Sequence, residues 1–203
     1  RKVFMIGILN LETSNLSSVT NAMNFIDSRF LIIRTREDLK VVDKIILPGV
    51  GTFGDGIKSL HNQNLYGQII EEVKKNKKPI LGICLGLQMF FEESEESRNV
   101  KGLGLIDGSV KKLSQSDLYS IPRIGWASSK VRNNFLGLEK KQSVDFYYIH
   151  SYLVKPSDPN IIYVTTEEDI PSCIKSENIY GCQFHPEKSH VIGLNILKKF
   201  SLL

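Results

Sequence analysis

Cysteine is scarce in this chain. Cys84, Cys173 and Cys182 are the only three among 203 residues, and their spacing is irregular. An odd, scattered set argues against a disulfide framework and against a zinc site, so no metal is expected. It fits a reducing compartment, and a cytoplasmic location is the expectation. Long apolar runs are missing too. None approaches the roughly 20 residues that cross a bilayer, so no membrane partner is expected. The opening Arg1-Lys2-Val3-Phe4-Met5-Ile6-Gly7-Ile8-Leu9 is basic, then apolar, but polar residues follow without a small-residue cleavage site. It reads as a buried first strand rather than a signal peptide. Charge of one sign is also lacking: 26 Lys and Arg against 22 Asp and Glu leave a net +4. No basic run is interleaved with aromatics, which argues against nucleic acid as a partner. Lys74, Lys75, Lys77 and Lys78 cluster where an amphipathic pattern ends. They read as solvated charges that favour the negative end of a helix dipole. No stretch is rich enough in Pro, Gly or Ser to act as a linker, and no repeat is present. The expectation is a single domain over residues 1–203.

What is present is an alternation of short apolar runs and helical patterns. Val3 to Leu9, Phe30 to Ile33, Lys44 to Leu47 and Pro79 to Cys84 are strand-like. Leu16, Val19, Met23 and Ile26 recur at helical spacing, as do Leu65, Ile69, Ile70 and Val73, and Leu85 to Glu93 follows as a helix. Such alternation implies βαβ units and a mostly parallel sheet flanked by helices. After residue 108 the pattern changes. Ser109 to Leu113, Val144 to Ile149, Ile161 to Thr166, Ser172 to Ser176 and Ile179 to Phe184 are strand candidates without intervening helices, before a helix from Val191 to Leu202. They are expected to be antiparallel additions to the sheet of one α/β domain.

Gly82-Ile83-Cys84-Leu85-Gly86 carries the most chemical information. It joins an apolar strand to a helix, and glycines on both sides let backbone pack closely around a sharp turn, the logic of a nucleophile elbow. The thiol would project above the sheet end. The N–H of Leu85, at a helix start, has no partner within the helix and is free to bind an oxyanion. A buried structural cysteine explains this segment alone equally well. Pro48-Gly49-Val50-Gly51 follows another strand and ends at the same sheet edge, where open α/β sheets bind ligands. The N–H of Val50 or Gly51 could donate to the same oxyanion, although a simple tight turn also fits. In Gly181-Cys182-Gln183-Phe184-His185-Pro186-Glu187, the proline favours extended geometry at His185. In extended chain His185 and Glu187 face one side. A carboxylate on one imidazole nitrogen sets the tautomer and frees the other nitrogen to take a thiol proton. The remaining histidines, His61, His150 and His190, have no neighbour arranged in this way.

Taken together, these segments resemble class I glutamine amidotransferases, and within them the glutaminase subunits of imidazole glycerol phosphate synthases of histidine biosynthesis. The likeness rests on Leu47 to Gly51, Gly82 to Gln88, Phe91 to Glu96, Gly102 to Ile106, Ile124-Gly125-Trp126, Tyr148 to Tyr152 and Gln183 to Ser189, which run in family order through nearly the whole chain. It implies a Cys84-His185-Glu187 triad that hydrolyses L-glutamine through a thioester, without a cofactor. It places Gln88 and Glu96 against the glutamine head group and Gly51 beside it, with His150, Ser151 and Tyr152 lining the same pocket. For Gln88 the helical spacing from Cys84 agrees. For Glu96 a carboxylate suits the substrate ammonium, although a solvated charge in the run Glu92 to Glu96 is the alternative.

The resemblance further implies a heterodimer with a (β/α)8-barrel cyclase that receives the ammonia. Asn15, Arg123 and Trp126 lie in the segments that would dock it, though a lone tryptophan can equally serve a core. Two segments depart from the family pattern. Asn10-Leu11-Glu12-Thr13-Ser14-Asn15 replaces a glycine-rich stretch, and Pro122-Arg123-Ile124-Gly125-Trp126-Ala127 differs from Pro-His-Met-Gly-Trp-Asn. Both fall on the docking side, so ammonia delivery to a surface sugar is the alternative pathway. A degenerate binding module is the non-enzymatic alternative.

Overall fold

The computed structural model describes residues 4–11, 15–114 and 120–203. Its first half builds parallel strands β1 (Ile6–Leu9), β2 (Phe30–Ile33), β3 (Lys44–Gly49) and β4 (Ile80–Cys84). Between them lie helices α1 (Leu16–Phe25), α2 (Arg36–Val41), α3 (Phe53–Asn62) and α4 (Tyr66–Lys74), and a single turn of helix, α5 (Leu85–Gln88), follows β4. Then come β5 (Glu93–Ser94), β6 (Gly108–Lys112), β7 (Arg123–Val131), β8 (Ser143–His150), β9 (Tyr152–Pro156), β10 (Ile162–Thr166), β11 (Pro171–Ser176), β12 (Ile179–Cys182) and helix α6 (His190–Ser201).

Nine strands form one mixed sheet in the order β2-β1-β3-β4-β12-β11-β10-β7-β8. The pairs from β2 through β12 are parallel, and those from β12 to β8 are antiparallel. Every residue of β1, β3, β4 and β12 is buried, as strands covered by helices on both faces must be. Side chains then alternate between two cores. Ile45, Leu47 and Ile80 join Phe53, Leu60, Ile69 and Phe90 on the face under α3 and α4. Ile46, Leu81 and Ile83 join Val19, Met23, Ile196 and Phe200 under α1 and α6. At the far edge β8 alternates between exposed and buried residues, the pattern of a strand with one wet face.

The structure departs from the sequence reading in several places. Strand β6 does not join the main sheet; it pairs with β5 and β9 in a separate three-stranded sheet. The helix after Cys84 stops at Gln88 instead of running to Glu93, because the chain folds back there: Leu103 N–H donates to the Met89 carbonyl and Leu105 N–H to that of Phe90. Helices α2 and α3 and the long strand β7 were not anticipated. In β7 the Ser128-Ser129-Lys130 stretch interrupts the apolar signal. Lys78 is no solvated charge: its ammonium sits 3.0 Å from the Glu72 carboxylate and donates to the Leu39 carbonyl at 2.6 Å, both side chains being largely buried. Among the described residues no helix is long and apolar enough to cross a membrane, and no group of His, Cys, Asp and Glu is arranged to hold a metal.

Candidate active site

Three neighbouring parallel strands bring the sequence-distant segments together. Gly49 at the end of β3 pairs with Cys84 at the end of β4, and Cys182 at the end of β12 pairs with Ile83. The Pro48–Gly51 turn, the cysteine and the His185 turn therefore emerge side by side at the C-terminal sheet edge, where ligand sites of open α/β sheets lie.

Cys84 sits at a strained elbow, with φ 53° and ψ −107°. A non-glycine residue in such a conformation costs on the order of 1–3 kcal/mol and persists only where its surroundings enforce it. The glycines supply that enforcement. A Cβ on Gly86 would lie 1.8 Å from the Leu47 carbonyl oxygen, and one on Gly82 would lie 2.6 Å from the Leu87 nitrogen. The turn can thus press directly against β3 and α5. The Cys84 sulfur, 6% exposed, donates toward the Ile149 carbonyl at 3.7 Å and accepts from the Gln183 side-chain amide at 3.7 Å.

His185 and Glu187 meet with Nδ1 2.8 Å from Oε1, and both side chains are 2% exposed. The contact was expected, but its geometry differs from the expected extended run. His185 itself is extended, while Pro186–Lys188 is a 3₁₀ turn that folds the carboxylate back onto the ring. The turn is anchored on β8: His185 N–H donates to the Tyr147 carbonyl, the Ser189 hydroxyl donates to the His185 carbonyl, and Tyr147 N–H donates to the Ser189 hydroxyl. Burial opposes protonation of His185, but the Cys84 sulfur and the Glu187 carboxylate outweigh it and push the imidazole up to about 10. The arrangement favours a protonated ring, with Nε2 making no hydrogen bond to a described residue.

A cavity of about 230 Å³ opens above the elbow. Val50, Gly51, Cys84, Leu85, Gln88, Glu96, His150, Ser151, Tyr152 and His185 all line it, as do Pro122 and Ile149, which the sequence reading did not single out. Glu187 stands behind His185, outside the lining. Gly51 has φ 95°, a conformation suited to glycine. Glu96 is not one of the freely solvated acids of its run. It accepts from Phe53 N–H, the first of α3, at 2.6 Å, and burial raises its pKa against that bond, with Asp55 adding to the rise. Glu92, Glu93 and Glu95 are exposed, and Glu95 is held low by the Lys112 N–H and by Lys111. His150 Nδ1 lies 2.8 Å from the Tyr152 carbonyl, which can only accept, so Nδ1 carries the hydrogen. Burial pushes His150 down to about 4, leaving it neutral near pH 7 with Nε2 bare.

The residues expected at a partner interface divide. Trp126 is 48% exposed and stacks on His190 at 4.7 Å, close in sequence to exposed Ile124. Asn15 is exposed at the start of α1, and Glu12 to Ser14 lie outside the described residues. Arg123 corrects the expectation of a partner-facing side chain. It turns inward to 6% exposure, pairs with Glu168 at 3.1 Å and lies 5.3 Å from the Tyr148 ring, because its position in β7 points toward the sheet interior.

The model of the family glutamine amidotransferase class-I matches residues 10–202. The chain belongs to the class I glutamine amidotransferases. Curated relatives agree over nearly full length. The Methanocaldococcus jannaschii protein named imidazole glycerol phosphate synthase subunit HisH is 41% identical over 97% of this chain and 98% of its own. Proteins of the same name from Listeria innocua and Bacillus subtilis are 38% and 34% identical, over 97% of this chain and 94% and 95% of theirs. A crystal structure titled glutamine amidotransferase superimposes with TM-score 0.78 at 16% identity, covering 98% of this chain and 99% of that one. The structure of PurLQS from Thermotoga maritima gives TM-score 0.75 at 19% identity, with 98% of each chain covered. At these identities the two structures speak for the class I amidotransferase fold alone.

Proposed function

We propose that this amidotransferase is the glutaminase subunit of an imidazole glycerol phosphate synthase in histidine biosynthesis. It hydrolyses L-glutamine to glutamate and ammonia, and a (β/α)8-barrel cyclase subunit receives the ammonia to form imidazole glycerol phosphate and AICAR. One observation carries the chemistry: a strained, cavity-facing Cys84 beside a buried His185 whose ring Glu187 holds in place.

In this reading the Cys84 thiolate adds to the side-chain amide carbon of glutamine. The N–H groups of Leu85 and of Val50 or Gly51 receive the oxyanion. The amide C–N bond breaks, and ammonia leaves with the proton that His185 held. His185 then takes a proton from water, which attacks the thioester carbonyl; the C–S bond breaks, glutamate departs and the thiol is restored. Gln88 and Glu96 position the amino-acid head group from the cavity wall. Exposed Trp126 marks the face that meets the cyclase subunit in a cytoplasmic heterodimer.

The test is glutamate release from the purified chain, alone and mixed with the barrel protein, together with size-exclusion analysis of the mixture. A one-to-one complex that consumes glutamine and forms imidazole glycerol phosphate is the expected result. Turnover that no barrel protein changes would remove the synthase reading.

A further inference from the structure

Gln183 has no role in the triad, yet it is 0% exposed and touches the reacting sulfur. Its neighbours fix which way its amide points. The Tyr152 carbonyl can only accept, and Gln88 Nε2 donates to it at 3.1 Å. That same nitrogen lies 3.2 Å from the Gln183 side chain, so the Gln183 atom facing it must be the acceptor, Oε1. The other end of the amide, Nε2, is then the end turned to Cys84, 3.7 Å from Sγ. Donor polarity thus runs without a break from a main-chain carbonyl to the nucleophile. The backbone holds the relay in place, since Gln183 N–H donates to the Ser172 carbonyl at 2.8 Å.

Two groups with opposite preferences face the sulfur. The Ile149 carbonyl, 3.7 Å away, can only accept, so it favours the protonated thiol. The Gln183 N–H favours the anion, because a thiolate accepts a hydrogen bond far better than a thiol does. We propose that Gln183 is a further catalytic residue: its side-chain amide donates to the Cys84 thiolate, holding the sulfur anionic and aimed into the cavity. The proposal rests on Cys84 being the nucleophile. It also ties the nucleophile to Gln88 on the cavity wall through one hydrogen-bonded chain.

The test compares Gln183→Met, which keeps length and loses the donor, with Gln183→Glu, which keeps shape and turns an acceptor toward sulfur. The rate of Cys84 alkylation by iodoacetamide is followed against pH in the full chain, with the site mapped by mass spectrometry. The midpoint is expected to rise by about one pH unit in Gln183→Met and further in Gln183→Glu, as tenfold per unit requires. Glutamate release at neutral pH should fall about tenfold in Gln183→Met, with KM for glutamine changed less than kcat. A purely structural role would lower the melting temperature but leave the midpoint in place, and that outcome overturns the proposal. Should neither variant fold, the unmodified chain still decides. A glutamine side-chain N–H resonance should shift with the midpoint of Cys84 ionisation and stay still in Cys84→Ser; absence of such a resonance also overturns it. Full turnover in Cys84→Ser would instead remove the nucleophile assignment itself, whatever Gln183 does.

Discussion

Nδ1 of His185 lies 2.8 Å from Oε1 of Glu187, across a backbone that turns between them. In an extended strand two side chains that share a face also diverge from a straight backbone. The 3₁₀ turn at Pro186 instead folds the carboxylate under the ring, so the pair is held by local backbone and by its ties to Tyr147 and Ser189. The imidazole is left with its other nitrogen for the sulfur.

The pair makes a pH prediction with a definite sign. His185 is raised to about 10, so the stability it contributes is fully present below the ordinary histidine value near 6.5 and is lost as pH rises through about 10. Glu187→Gln removes one of the charges that raise it. The melting temperature of Glu187→Gln should therefore lie below that of the unmodified chain at pH 7, with the gap closing as pH approaches 10. The alkaline limb of glutamine hydrolysis should move to lower pH in the same variant. An unchanged limb would show that the carboxylate does not act on the ring. His185→Ala should cost more activity than Glu187→Gln, because packing retains part of the ring's orientation when only the carboxylate is lost.

Cys84→Ser replaces a thiol by a far less acidic hydroxyl of nearly the same shape. Folding should survive, and turnover should fall by about a thousandfold or more. Covalent labelling by a glutamine-like chloroketone should vanish. Labelling that persists and maps to Cys173 or Cys182 would contradict the assignment, although both are fully buried.

Two glycines give opposite expectations. Gly86→Ala would place a methyl 1.8 Å from the Leu47 carbonyl, a backbone atom that cannot move aside. Equilibrium unfolding should show a loss of about 2–3 kcal/mol, and hydrolysis should fail because the elbow shifts. Gly67→Ala, on α4, meets nothing within 4 Å and should be neutral or stabilising by up to about 1 kcal/mol. Equal effects at the two sites would show that the close approach at Gly86 is not what demands glycine.

Control by the partner is testable in the same assay. Gly49 and Gly51 flank Val50 beside the cysteine, and glycine neighbours lower the steric cost of turning the peptides between them. A donor N–H turned away from the oxyanion costs about a hundred- to a thousandfold in rate. The isolated chain should therefore hydrolyse glutamine slowly, and its barrel subunit with bound acceptor should raise the rate by at least about a hundredfold. Trp126→Ala should weaken complex formation and this stimulation more than the basal rate. A basal rate already equal to the stimulated one would exclude such a switch.

Much of this protein is written locally in its chain. Apolar runs of the parallel strands, the glycine-flanked Cys84 and the extended His185 are visible because each depends on neighbouring residues: periodicity for the strands, backbone freedom at Gly82 and Gly86, and the restriction that Pro186 places on the residue before it. The cavity residues were also legible as segments, through their resemblance to one family. Other features depend on residues far apart in sequence. Strand β7 has little apolar signal of its own and becomes a strand only by pairing with β8 along its length. Arg123 was expected to face a partner until the sheet set its facing and Glu168 arrived from 45 residues away to compensate it. Lys78 is drawn into a part-buried position because Glu72 and the Leu39 carbonyl meet it there. Gln183 gains its meaning only when β12 is laid beside β4, which sets its amide between Gln88 and Cys84. Local backbone preference is encoded residue by residue. The facing, burial and hydrogen-bond polarity of a polar side chain are settled by which distant segments the sheet brings against it.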